Sequence, residues 1–155
     1  MKKSSLILLL ALLAPAAEAG AQNIALGERV PELKISEWLG DERPAAGKAP
    51  TYIEFFHTSN QSGTASLDHL EKLSRRQGTD LRIVVVAQEP KEKIARLLDP
   101  YLSPRICVAL DPDGRIFRAF GVSYVPFGVL VDERNRALWM GNTLQLTPEI
   151  IENNQ

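Results

Sequence analysis

The stretch His57 to Gly63 sets an imidazole, three hydroxyls and two amides immediately ahead of a helical pattern. Residues of these types can cap a helix, accept a proton or bind an anion. A Ser–His hydrolase would pair Ser59 or Ser62 with His57, but the chain has no Gly-x-Ser-x-Gly turn to present such a serine, so this chemistry is not expected. His57 and His69 are the only histidines, and Asp68 adjoins the second. Two imidazoles and a carboxylate could ligate a metal, yet one histidine leaves a strand and the other sits within a helix pattern, so both are read as solvated surface residues and no metal is expected. Asn60-Gln61-Ser62 fits the N-glycosylation pattern and is read as accidental. Asn60 is a good N-cap type for the following helix, whose free N–H groups suit an anion.

Cys107 is the only cysteine. No intramolecular disulfide can form, and a multi-cysteine metal site is excluded. Within Ile106-Cys107-Val108-Ala109-Leu110 a thiol is expected to behave as a buried small hydrophobe. The other reading, a lone reactive thiol, needs exposure and a nearby cation.

Several elements must position these groups. Thr51–Phe56 is aromatic and β-branched, as strands are. Gly63–Gln77 reads as a helix with Leu67, Leu70 and Leu73 on one face and Gly78 as its stop. Leu81–Ala87 is a nearly continuous apolar run, which suits a parallel strand covered on both faces. Pro90 opens a second helix whose apolar stripe is Ile94, Leu97, Leu98 and Tyr101. Ile106–Leu110 is a short strand ending in the turn Asp111-Pro112-Asp113-Gly114. Phe127–Val131 and Ala137–Met140 flank a hairpin connection over Asp132–Arg136. Thr147 caps a last helix that begins with Pro148. Residues 22–48 form a lead-in strand and loop around Leu33–Ile35 and Trp38-Leu39. Strands alternating with helices predict an α/β three-layer domain, with a mixed central sheet because of the late hairpin.

The N-terminus reads as an export signal. Lys2 and Lys3 precede the apolar run Leu6–Ala14, which is far shorter than the ~20 residues a bilayer-spanning helix needs. Cleavage is expected after Ala19 or Ala21, with Ala21 preferred. That makes residues 1–21 a signal peptide and 22–155 the folded domain. The Lys-Lys start looks bacterial, so the expected location is the periplasm, with no membrane association after cleavage. A formal net charge of −1 offers no basic surface for nucleic acid. Lys72, Arg75 and Arg76 are read as a solvated helix end.

Glu54 to Gly63, Leu110 to Gly114, Phe120-Gly121-Val122, Val125-Pro126 and Trp139 to Asn142, in that order, resemble the thioredoxin-like superfamily, and most closely its exported TlpA-like branch of thiol–disulfide oxidoreductases. The resemblance spans roughly residues 24–153. In that family a W-C-x-x-C motif joins the first central strand to its helix. Here Ser59 matches the tryptophan, Asn60 the attacking cysteine and Gly63 the resolving cysteine. Disulfide exchange requires a thiolate that attacks sulfur. An amide and a hydrogen atom cannot do so, and dithiol activity is expected to be absent.

The resemblance further implies roles for three residues. Glu54 matches the acid beneath the family's active site; it is either buried with a raised pKa or a partly solvated carboxylate paired with a cation. Pro126 matches a cis-proline facing the redox motif, although X-Pro bonds are generally trans. The preceding residue, Val125, matches the one whose backbone pairs with an extended substrate, so Ser59, Asn60, Val125 and Pro126 form either a peptide-binding groove or a purely structural turn. The leading expectation is a non-catalytic module that binds an extended peptide or a protein, without a cofactor. The alternatives are redox activity through Cys107, or chemistry not evident in the motif, and a structural subunit of a periplasmic complex.

Overall fold

The computed structural model describes residues 24–76 and 78–155. The expected signal peptide over residues 1–21 lies outside them. Six strands form one sheet: β1 (Glu37–Leu39), β2 (Thr51–Phe56), β3 (Arg82–Ala87), β4 (Ile106–Leu110), β5 (Phe127–Val131) and β6 (Ala137–Gly141). Their spatial order is β1-β4-β3-β2-β5-β6. Strands β2, β3 and β4 are mutually parallel, while β5 runs antiparallel to β2, β6 to β5, and β1 to β4. The helices are α1 (Ser62–Arg75), α2 (Lys91–Leu98), α3 (Arg115–Ala119) and α4 (Pro148–Glu152).

Period-two alternation divides β2 between two cores. Tyr52 and Phe56 point to the face covered by Leu67, Leu70 and Leu73 of α1, Ile94 and Leu98 of α2, and Ile151 of α4. Ile53 and Phe55 point to the opposite face, covered by Ile116 and Phe117 of α3, by Phe120 and by the N-terminal segment. Phe55 meets Phe117 edge-on, with centroids 5.0 Å apart. The Arg-Ile-Val-Val-Val-Ala run of β3 is buried along nearly its whole length because both faces are covered. This is the three-layer α/β architecture with a mixed sheet.

The details correct four sequence readings. Of the two segments expected in the lead-in strand and loop, Trp38-Leu39 lies in the strand, Glu37–Leu39, and Leu33–Ile35 does not. Leu33 and Ile35 pack on the second core with no ladder partner, because only the Trp38 region reaches β4. Leu97 is 36% exposed and drops out of the α2 stripe. That helix ends at Leu98, and a 3-10 turn at Asp99–Tyr101 containing Pro100 breaks the 3.6-residue period that would have aligned Leu97 and Tyr101. The turn Asp111–Gly114 is also the start of an unforeseen helix, α3. Asp111 Oδ2 accepts from the backbone N–H groups of Ile116 and Phe117 at 3.0 and 3.1 Å. Finally, α1 begins at Ser62 and ends at Arg75, with Gln61 and not Asn60 at its N-cap position. Gln77, the expected last residue, lies outside the described residues.

Candidate functional site

Strand β2 runs out at Phe56, and the chain turns through residues 57–61 before α1. His57 Nδ1 lies 2.7 Å from Ser59 Oγ and accepts from the Ser59 backbone N–H at 3.1 Å. Since Nδ1 accepts from the backbone, the neutral ring carries its proton on Nε2. Thr58 is anchored from β3's far end. Its N–H donates to Glu89 Oε2 at 2.8 Å and its hydroxyl to Oε1. Glu89 is only 6% exposed, and Lys93 Nζ stands 2.6 Å from its Oε1. Burial pushes the Glu89 carboxyl up, but Lys93 and the Thr58 donors outweigh it and hold it below the usual range. Sequence reasoning passed over Glu89 and Lys93. Their i, i+4 spacing at a helix start was the available signal.

Asn60 uses both ends of its amide. Oδ1 accepts from Ser62 N–H at 2.8 Å, and Nδ2 donates to the backbone carbonyl of Val125. Asn60 thus satisfies the start of α1 from one residue before the formal cap position. Val125 and Pro126 are joined by a cis peptide bond. Pro126 is buried and Val125 half-buried, while Tyr124 is 52% exposed and meets Phe127 edge-on at 5.3 Å. Ser59, Asn60, Val125 and Pro126 are therefore gathered at one rim of the sheet. Gly63 lies at the rim's inner edge. A Cβ placed on it would stand 3.0 Å from Phe56 Cε2 and 3.4 Å from the His57 carbonyl.

Glu54 lies beneath this rim and is fully buried. It is not partly solvated and has no cationic partner among the described residues, so the solvated, ion-paired reading does not describe it. Thr143 donates its hydroxyl to Oε2, and Tyr52 Oη lies 2.9 Å from Thr143 Oγ1. Ser66 Oγ sits 2.7 Å from Glu54 Oε1 and 2.7 Å from the Gly63 carbonyl. Ser66 has one proton for these two acceptors. A protonated Glu54 resolves the count by handing its own proton to Ser66, which then serves Gly63. Burial pushes the Glu54 carboxyl up to about 8, against the lowering effect of Thr143 and Ser66. The same acid, with burial as the larger cause, keeps Tyr52 neutral well beyond the ordinary phenol range.

The remaining candidates are not at the rim. Cys107 is fully buried in β4, in register with Val84 of β3 and so two strands from β2. Burial pushes its thiol up to about 11, with Glu42 adding to this and Arg43 opposing it. His69 Nε2 reaches the Leu146 carbonyl at 2.6 Å, and Asp68 accepts from Tyr101 Oη at 2.6 Å. Among the described residues no group of three His, Cys, Asp or Glu side chains is placed to hold a metal ion. No described helix is long and apolar enough to cross a membrane. Arg75 pairs with Glu71 at 2.8 Å on an exposed surface, where the contribution is at most about 1 kcal/mol. Two clefts of about 660 and 670 Å³ are lined by Arg29, Trp38 and Arg82 and by Arg75, Arg76 and Arg105 respectively, and neither includes Asn60 or Val125.

No protein family and no curated protein sequence matches the chain. Solved structures do. One is a solution structure of a thioredoxin-like protein in the oxidized form, 19% identical, with a TM-score of 0.65 over 81% of this chain and 93% of that one. Another is a putative protein disulfide isomerase from Bacteroides thetaiotaomicron, 13% identical, TM-score 0.61, covering 84% and 88%. A third is a putative thiol:disulfide interchange protein DsbE from Chlorobium tepidum, 16% identical, TM-score 0.56, covering 85% and 94%. At these identities the likeness concerns the path of the chain. The protein is accordingly thioredoxin-like in fold, with an amide and a glycine at the start of α1 and its single thiol inside β4.

Proposed function

We propose that this protein is an exported, non-catalytic binding module that takes an extended peptide or a protein segment at the rim formed by Ser59, Asn60, Val125 and Pro126. The observation that carries this reading is chemical. The rim holds no sulfur, and the only thiol is buried, with its pKa pushed up to about 11 by that burial, whereas disulfide exchange requires an accessible thiolate. What the rim does offer is main chain next to an exposed aromatic side chain, Tyr124. Those are features suited to a polypeptide partner.

Export is part of the same proposal. It is supported by the Lys2-Lys3 start with its Leu6–Ala14 apolar run. It is supported also by structural likeness to a pneumococcal exposed lipoprotein thioredoxin, 15% identical with a TM-score of 0.55. A bacterial periplasm is the compartment this implies.

Two measurements test the reading. Insulin-disulfide reduction by the purified protein should be indistinguishable from buffer. A photo-crosslinker at Ser59 should capture a partner segment that the same crosslinker at Glu133, in the remote β5–β6 hairpin, does not. Turnover of insulin that disappears in Cys107→Ala would overturn the proposal in favour of single-thiol redox chemistry.

A further inference from the structure

We infer that Asn60 is an internal latch on the rim, holding the Val125 carbonyl in place of a partner's backbone N–H. This inference rests on the binding reading above and specifies how that site is regulated. Four observations carry it. The Asn60 Nδ2 amide donates to Val125 O across the gap between α1 and the loop ahead of β5. The other end of the same side chain is tied to Ser62 N–H at 2.8 Å, so the amide is aimed and not wandering. Both residues are half-buried at the rim, next to the exposed Tyr124, where an incoming chain would arrive. The adjoining loop is held independently by Thr58 on Glu89, so release of Asn60 leaves it anchored.

An extended segment that adds to this edge must offer an N–H to Val125 O, and that acceptor is occupied. Binding exchanges one amide–carbonyl bond for another, which is close to balanced, so the latch lowers apparent affinity without abolishing it. The exchange also selects the ligand. Once displaced, Asn60 Nδ2 needs an acceptor. Water satisfies the displaced amide, so what the ligand must bring is the N–H that Val125 accepts, which a polypeptide supplies and a simple anion does not.

Asn60→Asp separates the latch from the helix cap. Its carboxylate still accepts from Ser62 N–H and gains from the α1 N-terminus, but it sets oxygen against the Val125 carbonyl. Asn60→Ala removes both contacts. The probe is fluorescein-labelled, carboxymethylated insulin B chain, an unfolded polypeptide with its thiols blocked, followed by fluorescence anisotropy. The latch predicts binding about 3- to 10-fold tighter in both variants than in the wild type, the worth of one neutral hydrogen bond. Nitrogen-15 NMR of the wild type reads the latch without any ligand. The Asn60 side-chain amide should exchange with solvent more slowly than that of Asn153, and probe binding should shift its resonance together with that of the Val125 backbone amide. An Asn60 amide that exchanges as fast as that of Asn153 overturns the latch, whatever the peptide does. Equal affinity in all three proteins also overturns the latch but leaves the binding reading standing. No binding by any of them at millimolar probe overturns the binding reading, and the latch with it.

Discussion

The ring of Phe56 stands 3.0 Å from the point where a side chain on Gly63 would begin. Phe56 is itself 2% exposed and packed against α1 residues, so it has little room to retreat. A side chain at Gly63 would therefore need the Phe56 ring to give by a few tenths of an ångström.

A dithiol placed at Asn60 and Gly63 consequently meets a steric obstacle. Asn60→Cys combined with Gly63→Cys is expected to destabilise the fold by about 1–3 kcal/mol through overpacking against Phe56. It is also expected to reduce insulin no faster than buffer. Adding Phe56→Leu should recover stability, read as the urea midpoint. Full stability of the double variant without that relief would show that the Phe56 contact yields freely.

Glu54 makes stability depend on pH in a direction opposite to a salt-bridged acid. Its carboxyl titrates at about 8 when folded, against 4.5 for an ordinary one. Below pH 4.5 both states hold the proton and nothing is lost. As the pH rises, the unfolded chain releases its proton first, so stability falls across this window and levels off beyond the folded value. The full loss is on the order of 5 kcal/mol. Glu54→Gln keeps a neutral group that can donate to Ser66 and accept from Thr143. It should melt several degrees above the wild type at pH 9 and close to it at pH 4. A difference between the two proteins that does not change with pH would refute this account.

Gly128 faces Glu54 across the β2–β5 ladder, and the Tyr52 phenol fills the space where its side chain would be. A Cβ there would lie 2.2 Å from Tyr52 Oη and 2.3 Å from Cζ. Gly128→Ala must push a fully buried ring out of its bond to Thr143. A loss of at least about 2 kcal/mol is expected from urea unfolding. A loss below about 0.5 kcal/mol would mean that the ring relocates without cost.

Cys107 should be silent in the folded protein. Its burial and raised pKa predict negligible labelling by Ellman's reagent at pH 8 within the time that denatured protein reacts with one equivalent. Rapid labelling of the native protein would return the thiol to consideration as a functional group.

The order of strands and helices was legible because it rests on local periodicity. Two-residue alternation in Thr51–Phe56, the unbroken apolar run of β3 and the Leu67-Leu70-Leu73 spacing each depend only on near neighbours. Helix α3 escaped because five residues carry too little period, and its cap, Asp111, looked like part of a turn. Leu97 was misplaced because a stripe cannot reveal where its helix stops.

The lack of a dithiol was also decided by the sequence alone, since a chain with one cysteine cannot form an internal pair. Which groups meet at that site was decided by tertiary structure. Asn60 and Val125 are 65 positions apart, and Glu54 and Thr143 are 89 apart. Neither pairing leaves a trace in local pattern. A hydrogen bond needs its partners within about 3 Å, and only the register of β2 on β5 and the docking of α1 bring these groups that close.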